Sequence, residues 1–202
     1  MPSSPAPDSR AFRRTIGLFA TGVTVVAVQL PDGVLGMTAN AVISVSLDPL
    51  LVLVCVDHRA RLADHLEVGG PFSINVLRDD QEVLSRYFAG GWRDLPQPEF
   101  RFESWDDAPR LVGALAALRC VVDRMDDGGD HWIVVGRVVD LHEAPSPWNP
   151  LLFFAGRYRR LSPAAAPAAP PEELGPDGVS IYYEEWGASK HDTPVKTSEP
   201  PG

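Results

Sequence analysis

The feature that most constrains this chain is a series of apolar, β-branched runs of strand length that do not alternate regularly with helices. Val23 to Leu30, Val34 to Asn40, Leu50 to Val56, Pro71 to Leu77, Leu115 to Arg124, His131 to Leu141 and Leu151 to Leu161 each read as a strand. Pro31-Asp32-Gly33 marks a turn between the first two, and Asp126 to Asp130 (Asp-Asp-Gly-Gly-Asp) marks a hairpin later on. Only short helices fall between them. Ser9 is placed to cap one in which Phe12, Ile16 and Phe19 recur at i, i+4 and i+7, with Gly22 ending it. Leu62 and Leu66 give a second its inner face. Asp79 or Asp80 caps a third with Val83, Leu84, Tyr87 and Phe88 inside, and a loop rich in Trp and Pro follows. A doubly wound sheet needs a helix after nearly every strand, so it is not expected. A closed or partly open antiparallel barrel fits better, because closure removes the exposed edges that so many apolar strands would present.

Proline sets the limits of this core. Of 20 prolines, three precede Arg10 and eight follow Leu161. Residues 1–9 read as a disordered lead, 10–161 as the compact domain, and 162–202 as a Pro/Ala-rich linker of extended chain with a C-terminal extension. Asp177 to Gly187 resembles the opening strand of α/β-hydrolases, yet nothing of that fold follows, so no hydrolase is inferred.

The formal net charge of −9 and the absence of a long Lys/Arg cluster argue against a nucleic-acid partner. No apolar run approaches the ~20 residues of a membrane span. Two cysteines, Cys55 and Cys120, cannot build a disulfide scaffold, and no secretory leader is visible, so a reducing cytoplasm is expected. Several chemistries lack their residues. There is no Gly-x-Gly-x-x-Gly after a strand, no phosphate-binding Gly-x-x-x-x-Gly-Lys, no zinc-ligand spacing among the five histidines, and no Gly-x-Ser-x-Gly.

Two segments remain. Gly36-Met-Thr-Ala-Asn-Ala-Val-Ile-Ser-Val-Ser-Leu-Asp-Pro49 is a strand end, a run of small polar residues and a second strand start. Its hydroxyls, its amide and the small Ala39 suit a planar heteroaromatic that reaches backbone N–H and C=O groups. Taken alone, the segment reads more readily as a polar loop with a β-bulge. Cys55-Val-Asp-His-Arg-Ala-Arg61 then brings two arginines and a histidine to the start of the helix of Leu62 to Val68, where backbone N–H groups also favour an anion. A solvated loop is the competing reading.

Taken in order, Phe12-Arg-Arg…Phe19-Ala-Thr-Gly-Val-Thr-Val-Val26, Gly-Met-Thr-Ala-Asn, Ser-Val-Ser-Leu-Asp-Pro, Phe72-Ser-Ile-Asn-Val-Leu77, Gly129-Asp-His131 and Gly156-Arg-Tyr158 resemble the short-chain flavin reductase family. These are the reductase components of two-component flavin-dependent monooxygenases. The resemblance covers about residues 10–161. It implies a mainly β split barrel of the Greek-key, FMN-binding type with short peripheral helices, usually a homodimer with the flavin near the subunit contact. It implies hydride transfer from NADH or NADPH to FMN or FAD, and a partner monooxygenase that receives the reduced flavin.

By the same resemblance, Thr38, Ala39, Asn40 and Ala41 would line the isoalloxazine, with Ser44 and Val45 nearby. Cys55, Asp57, His58, Arg59 and Arg61 would hold the ribityl phosphate or pyrophosphate, and Phe88 would pack near the flavin. His131, with Gly156, Arg157 and Tyr158, would meet the nicotinamide nucleotide, and His131 is the candidate catalytic residue. The chain departs from the family in having Ala41 where Ser is frequent and Leu50 where a second Pro is frequent; the lost hydroxyl removes a hydrogen bond of about 1 kcal/mol. A flavin-carrying module without turnover and an oxidase of the pyridoxamine-phosphate type are the alternatives.

Overall fold

A computed structural model describes residues 8–91, 96–145 and 149–162. Most of the proposed lead and nearly all of the 162–202 extension, including Asp177 to Gly187, lie outside the described residues.

The first helix, α1 (Ser9–Ile16), is capped by Asp8 rather than Ser9: the Asp8 carboxylate accepts from the Ala11 N–H at 2.6 Å. It stops at Gly17, before the expected Gly22. Its Phe12 and Ile16, with the following Phe19, are exposed rather than turned inward. The strands β1 (Thr21–Gly22), β2 (Thr24–Leu30), β3 (Gly33–Ala39), β4 (Val42–Leu47) and β5 (Leu50–Asp57) come next. A single 3-10 turn, Arg61–His65, precedes β6 (Pro71–Val76). Then come α2 (Glu82–Arg86) and a wide turn over Tyr87–Gly91. The N-cap of α2 is Gln81, not Asp79 or Asp80, and Val83 faces solvent.

The stretch expected as a Trp- and Pro-rich loop contains a hairpin, β7 (Phe102–Trp105) and β8 (Ala108–Leu111). The long strands β9 (Ala116–Asp127) and β10 (His131–Glu143) flank the Asp-rich turn as expected. The last expected strand is instead a tight hairpin, β11 (Leu152–Phe154) and β12 (Arg157–Arg159), because Ala155 and Gly156 both take positive φ.

Seven strands form one antiparallel sheet in the order β3-β2-β6-β9-β10-β5-β4. Among the described residues no sheet closes into a barrel, so of the closed or partly open barrel expected the closed form is not found. The sheet nevertheless curls strongly, for a simple reason. β3 and β4 occupy opposite edges, yet only Asn40 and Ala41 join them. Seven flat strands at ~4.8 Å spacing would put those edges about 29 Å apart. Three Cα–Cα steps reach only ~11 Å. The edges are therefore pulled toward each other, and β3 comes into contact with β5 without pairing to it.

The curl encloses a core built from Val26, Val54, Val56, Phe72, Ile74 and Val134. Each such side chain contributes about 1.5–3 kcal/mol by burial. A second core lies on the outer face, where Val23, Val25, Leu77, Leu84, Leu111 and Leu151 meet. Buried Asn75 ties the β7–β8 hairpin to that face. Its amide nitrogen donates to the Val25 carbonyl at 3.1 Å, and its oxygen accepts from the Leu111 N–H at 2.9 Å. Among the described residues, no helix is long and apolar enough to cross a membrane.

Candidate functional site

The two-residue link between opposite sheet edges opens one side of a cavity of about 620 Å³. Its walls come from the end of α1 and the turn after it, the start of β4, the outward side of β5, and the β11–β12 hairpin. Alternation along β5 explains the wall it supplies. Val52, Val54 and Val56 point into the core, so Leu53 and Cys55 point out, and both line the cavity. The link supplies Asn40 and Ala41, and the hairpin supplies Phe153 and Gly156. The Asn40 amide nitrogen donates to Thr21 Oγ1 at 3.2 Å, and the Cys55 N–H donates to the Ala41 carbonyl at 3.1 Å. The Ala155 N–H bonds the Gly17 carbonyl at 2.7 Å, which fixes the hairpin against the end of α1. Cys55 is half-buried, and burial pushes its thiol pKa up. It is a neutral wall residue.

A polar cluster stands two residues farther along β5. His131 pairs with Asp57 across the β5–β10 ladder, as Ile133 pairs with Cys55. Asp57 and Cys55 point to the same side, about 7 Å apart at ~3.3 Å per residue. Asp57 accepts from the Arg59 backbone at 2.8 Å and from its guanidinium at 3.1 and 2.8 Å. That fork holds the Asp57 carboxyl far below the usual carboxylate range. His131 Nδ1 lies 2.6 Å from Asp130 Oδ1, and this hydrogen bond lowers the Asp130 pKa. The His58 ring packs on Trp132, with centroids 4.7 Å apart, and its buried Nε2 has no hydrogen-bond partner among the described residues.

The remaining expected residues are dispersed. Thr38 faces α2 and donates to the Ser85 carbonyl at 2.6 Å. Ser85 Oγ is 2.8 Å from Tyr158 Oη, and the Arg86 guanidinium lies over the Tyr158 ring at 4.9 Å. Ser85 thus joins Thr38 to Tyr158. No sequence signal singles it out, since a lone serine in a helix is ordinary. Ala39 is buried, and its carbonyl accepts from Thr24 Oγ1 at 2.7 Å. Ser44 and Val45 sit at a bulge on the exposed edge strand β4, and Arg157 is exposed on β12. Arg61 and Phe88 line a different groove, beside the free edge of β3. The turn that begins at Arg61 is a five-residue 3-10 turn, too short to supply the helix start expected there.

Residues 16–162 match the family model described as a flavin reductase like domain. The chain belongs to the flavin reductase-like family. Within it, the chain is 43% identical over 151 residues to the reductase component of 4-hydroxyphenylacetate 3-monooxygenase of Thermus thermophilus, covering 75% of this chain and 95% of that one. The flavin reductase PheA2 superposes with a TM-score of 0.72 at 40% identity, covering 77% of this chain and 99% of that one. The NADH:FAD oxidoreductase SgcE6 of Streptomyces globisporus, solved in complex with NAD and FAD fragments, gives a TM-score of 0.70 at 39% identity, covering 78% and 95%. The flavin reductase-like match spans every strand described here, so the outer cavity and the His131 cluster both lie inside it.

Proposed function

We propose that this protein is an NAD(P)H:flavin oxidoreductase that passes a hydride from NADH, or NADPH, to FMN or FAD and supplies reduced flavin to a partner monooxygenase. The observation that carries this reading is one cavity that holds both the flavin-facing residues Asn40, Ala41 and Cys55 and, opposite them, Gly156 from the nicotinamide segment. A site of about 620 Å³ lies in the range that takes small organic ligands and leaves room for two flat rings.

The residues present fit a flavin. Leu53, Ile43 and Phe153 give apolar surface for a planar ring, and the Asn40 and Ala41 backbone offers hydrogen-bonding groups at its edge. Held between the wall of Asn40, Ala41 and Cys55 and the hairpin at Gly156, a flavin would supply the hydride acceptor and a nicotinamide the hydride donor. The chain's own work is positional. Asn40 and the neutral Cys55 fix one wall without adding charge. The β11–β12 hairpin, held by Gly17 and by the Ser85–Tyr158 contact, fixes the other. Asp130 orients the His131 ring, leaving Nε2 for the nicotinamide or a phosphate. No proton moves in hydride transfer itself, so His131 acts in binding and orientation.

We read the curled sheet as a split barrel whose domain runs from 10 to 161, and the assembly as a homodimer. Ile16, Phe19 and Ile43 line the cavity and are each more than half exposed, and a second copy would cover them. The two cysteines are free, in keeping with a reducing cytoplasm. The deciding experiment follows NADH absorbance with and without added FMN or FAD. Flavin-dependent loss is expected; its absence with both flavins and both pyridine nucleotides would refute the assignment. Bound flavin that is never reduced would favour a carrier module instead.

A further inference from the structure

Among the described residues that line the outer cavity of about 620 Å³, Arg13 alone carries a charge; the others are apolar or neutral polar. Arg13 and Ile16 stand at i and i+3 on α1, so both fall on the helix face that meets the cavity. Arg14, the next residue, is not part of that wall. The end of α1 that carries Arg13 is held in place. The Arg13 carbonyl accepts from the Gly17 N–H at 3.0 Å, and the Gly17 carbonyl accepts from the Ala155 N–H of the β11–β12 hairpin at 2.7 Å. The guanidinium itself is not used by the fold. Arg59, Arg86, Arg110 and Arg119 each meet a carboxylate, whereas no ion pair or side-chain hydrogen bond engages Arg13 among the described residues.

We propose that Arg13 sets the charge of the ring cavity and so favours a bound flavin in its reduced state over its oxidised state. This inference rests on the flavin reductase reading and names the residue that biases the transfer. A hydride carries two electrons and one proton. As it passes, a C–H bond of the nicotinamide breaks and an N–H bond forms on the acceptor; the nicotinamide becomes a pyridinium cation and the acceptor ring gains one negative charge. Walls such as Ile16, Phe19, Ile43, Leu53 and Phe153 screen that charge poorly, so a cation on the same wall acts on it more strongly than it would in water. Thr21 and Asn40 offer dipoles, but only Arg13 offsets a full unit of charge. A guanidinium stays protonated throughout, so Arg13 acts through its field and gives up no proton. It is exposed in the single chain, and solvent screening holds the bias to about tenfold.

The experiment measures binding rather than turnover. Riboflavin, which has no phosphate, and FMN are titrated in oxidised form and, without oxygen, in reduced form. The proteins are the wild type, Arg13→Gln, Arg13→Met, Arg13→Lys and Arg14→Gln, with thermal unfolding measured on each. The ratio of the oxidised to the reduced Kd is expected to fall about tenfold in Arg13→Gln and Arg13→Met, which lowers the midpoint potential of the bound two-electron couple by about 30 mV. Both flavins should show it. Arg13→Lys should keep most of the ratio. Arg14→Gln should keep all of it, because it removes the same charge from the same helix away from the cavity.

An unchanged ratio in a natively folded Arg13→Gln or Arg13→Met overturns the proposal. An equal fall in Arg14→Gln also overturns it, by assigning the effect to the net charge of the helix. A loss confined to FMN does so too, by making Arg13 a phosphate ligand. The expected ratios without any flavin-dependent oxidation of NADH or NADPH would defeat the flavin reductase reading and leave the role of Arg13 standing. Failure of the wild type to bind either flavin would overturn both.

Discussion

The ring of Phe88 occupies the space that a side chain at Gly36 would need: a Cβ there would stand 2.8 Å from both Cδ1 and Cε1 of that ring. This contact seats the wide turn Tyr87–Gly91 on β3 and so shapes one wall of the β3 groove. Gly36→Ala is expected to cost about 1–3 kcal/mol through overpacking. The measurement is the urea midpoint. Pairing it with Phe88→Leu should recover part of the loss, because the two positions share one contact.

Ser85 is the buried joint between Thr38 and Tyr158. Ser85→Ala removes a hydrogen bond worth about 1 kcal/mol and loosens the β12 side of the cavity. The expected result is a roughly fivefold rise in KM for NADH, with flavin Kd little changed. An equal rise in both would mean that the residue only supports the fold.

His131 stands on the ladder beside Asp57 and on the cavity's side of the sheet. His131→Ala should weaken NADH use about tenfold while flavin binding survives, as expected for loss of a charge-assisted contact. Asp130→Asn should produce a smaller shift in the same direction, because the ring remains but loses its orienting carboxylate. Steady-state kinetics with saturating flavin provide the check.

Burial pushes the Cys120 thiol up to about 12 from an ordinary value of 9.0. Its protonated form is favoured in the folded chain, so its contribution to stability is fully present below pH 9 and lost as pH climbs toward 12, where the unfolded chain ionises first. Above 9 the loss from this group is about 1.4 kcal/mol per pH unit until the folded thiol titrates. Cys120→Val should lower the alkaline slope of the unfolding free energy, read from urea titrations, by that amount. In native protein at mildly alkaline pH, a thiol reagent should label Cys55 slowly and Cys120 hardly at all.

Ile43 and Phe19 are exposed at 61% and 71%, both beside the outer cavity. Ile43→Glu, with or without Phe19→Glu, should convert a dimer to a monomer in light scattering and depress NADH oxidation. A wild type that is already monomeric would remove the proposed subunit contact.

Most strand runs were legible from the sequence because apolar and β-branched stretches of strand length lie between turn signals. Which side of β5 faces inward was not, because residues 50–56 are apolar throughout; only the burial of Val52, Val54 and Val56 in the fold gives Cys55 and Asp57 their outward direction. The β7–β8 hairpin was not legible. Its anchors are Asn75 and Ser73, some 36 residues away, and no local pattern reports a bond of that range. The inner face assigned to α1 also failed. Its spacing correctly marks an apolar stripe but cannot say whether this chain or another covers it.

The sequence by itself determined most of the strand runs and the ordered motifs that carry the family resemblance, since both depend on near neighbours. Only the tertiary structure decided that β3 and β4 lie at opposite edges of one sheet, and that the two-residue link between them curls it. That curl brings Asn40, Cys55 and Gly156 around one cavity and leaves the β3 edge open beside Arg61. The reason is physical: the length of a loop is written locally, but the distance it must span is set by how many strands the rest of the chain inserts between its ends.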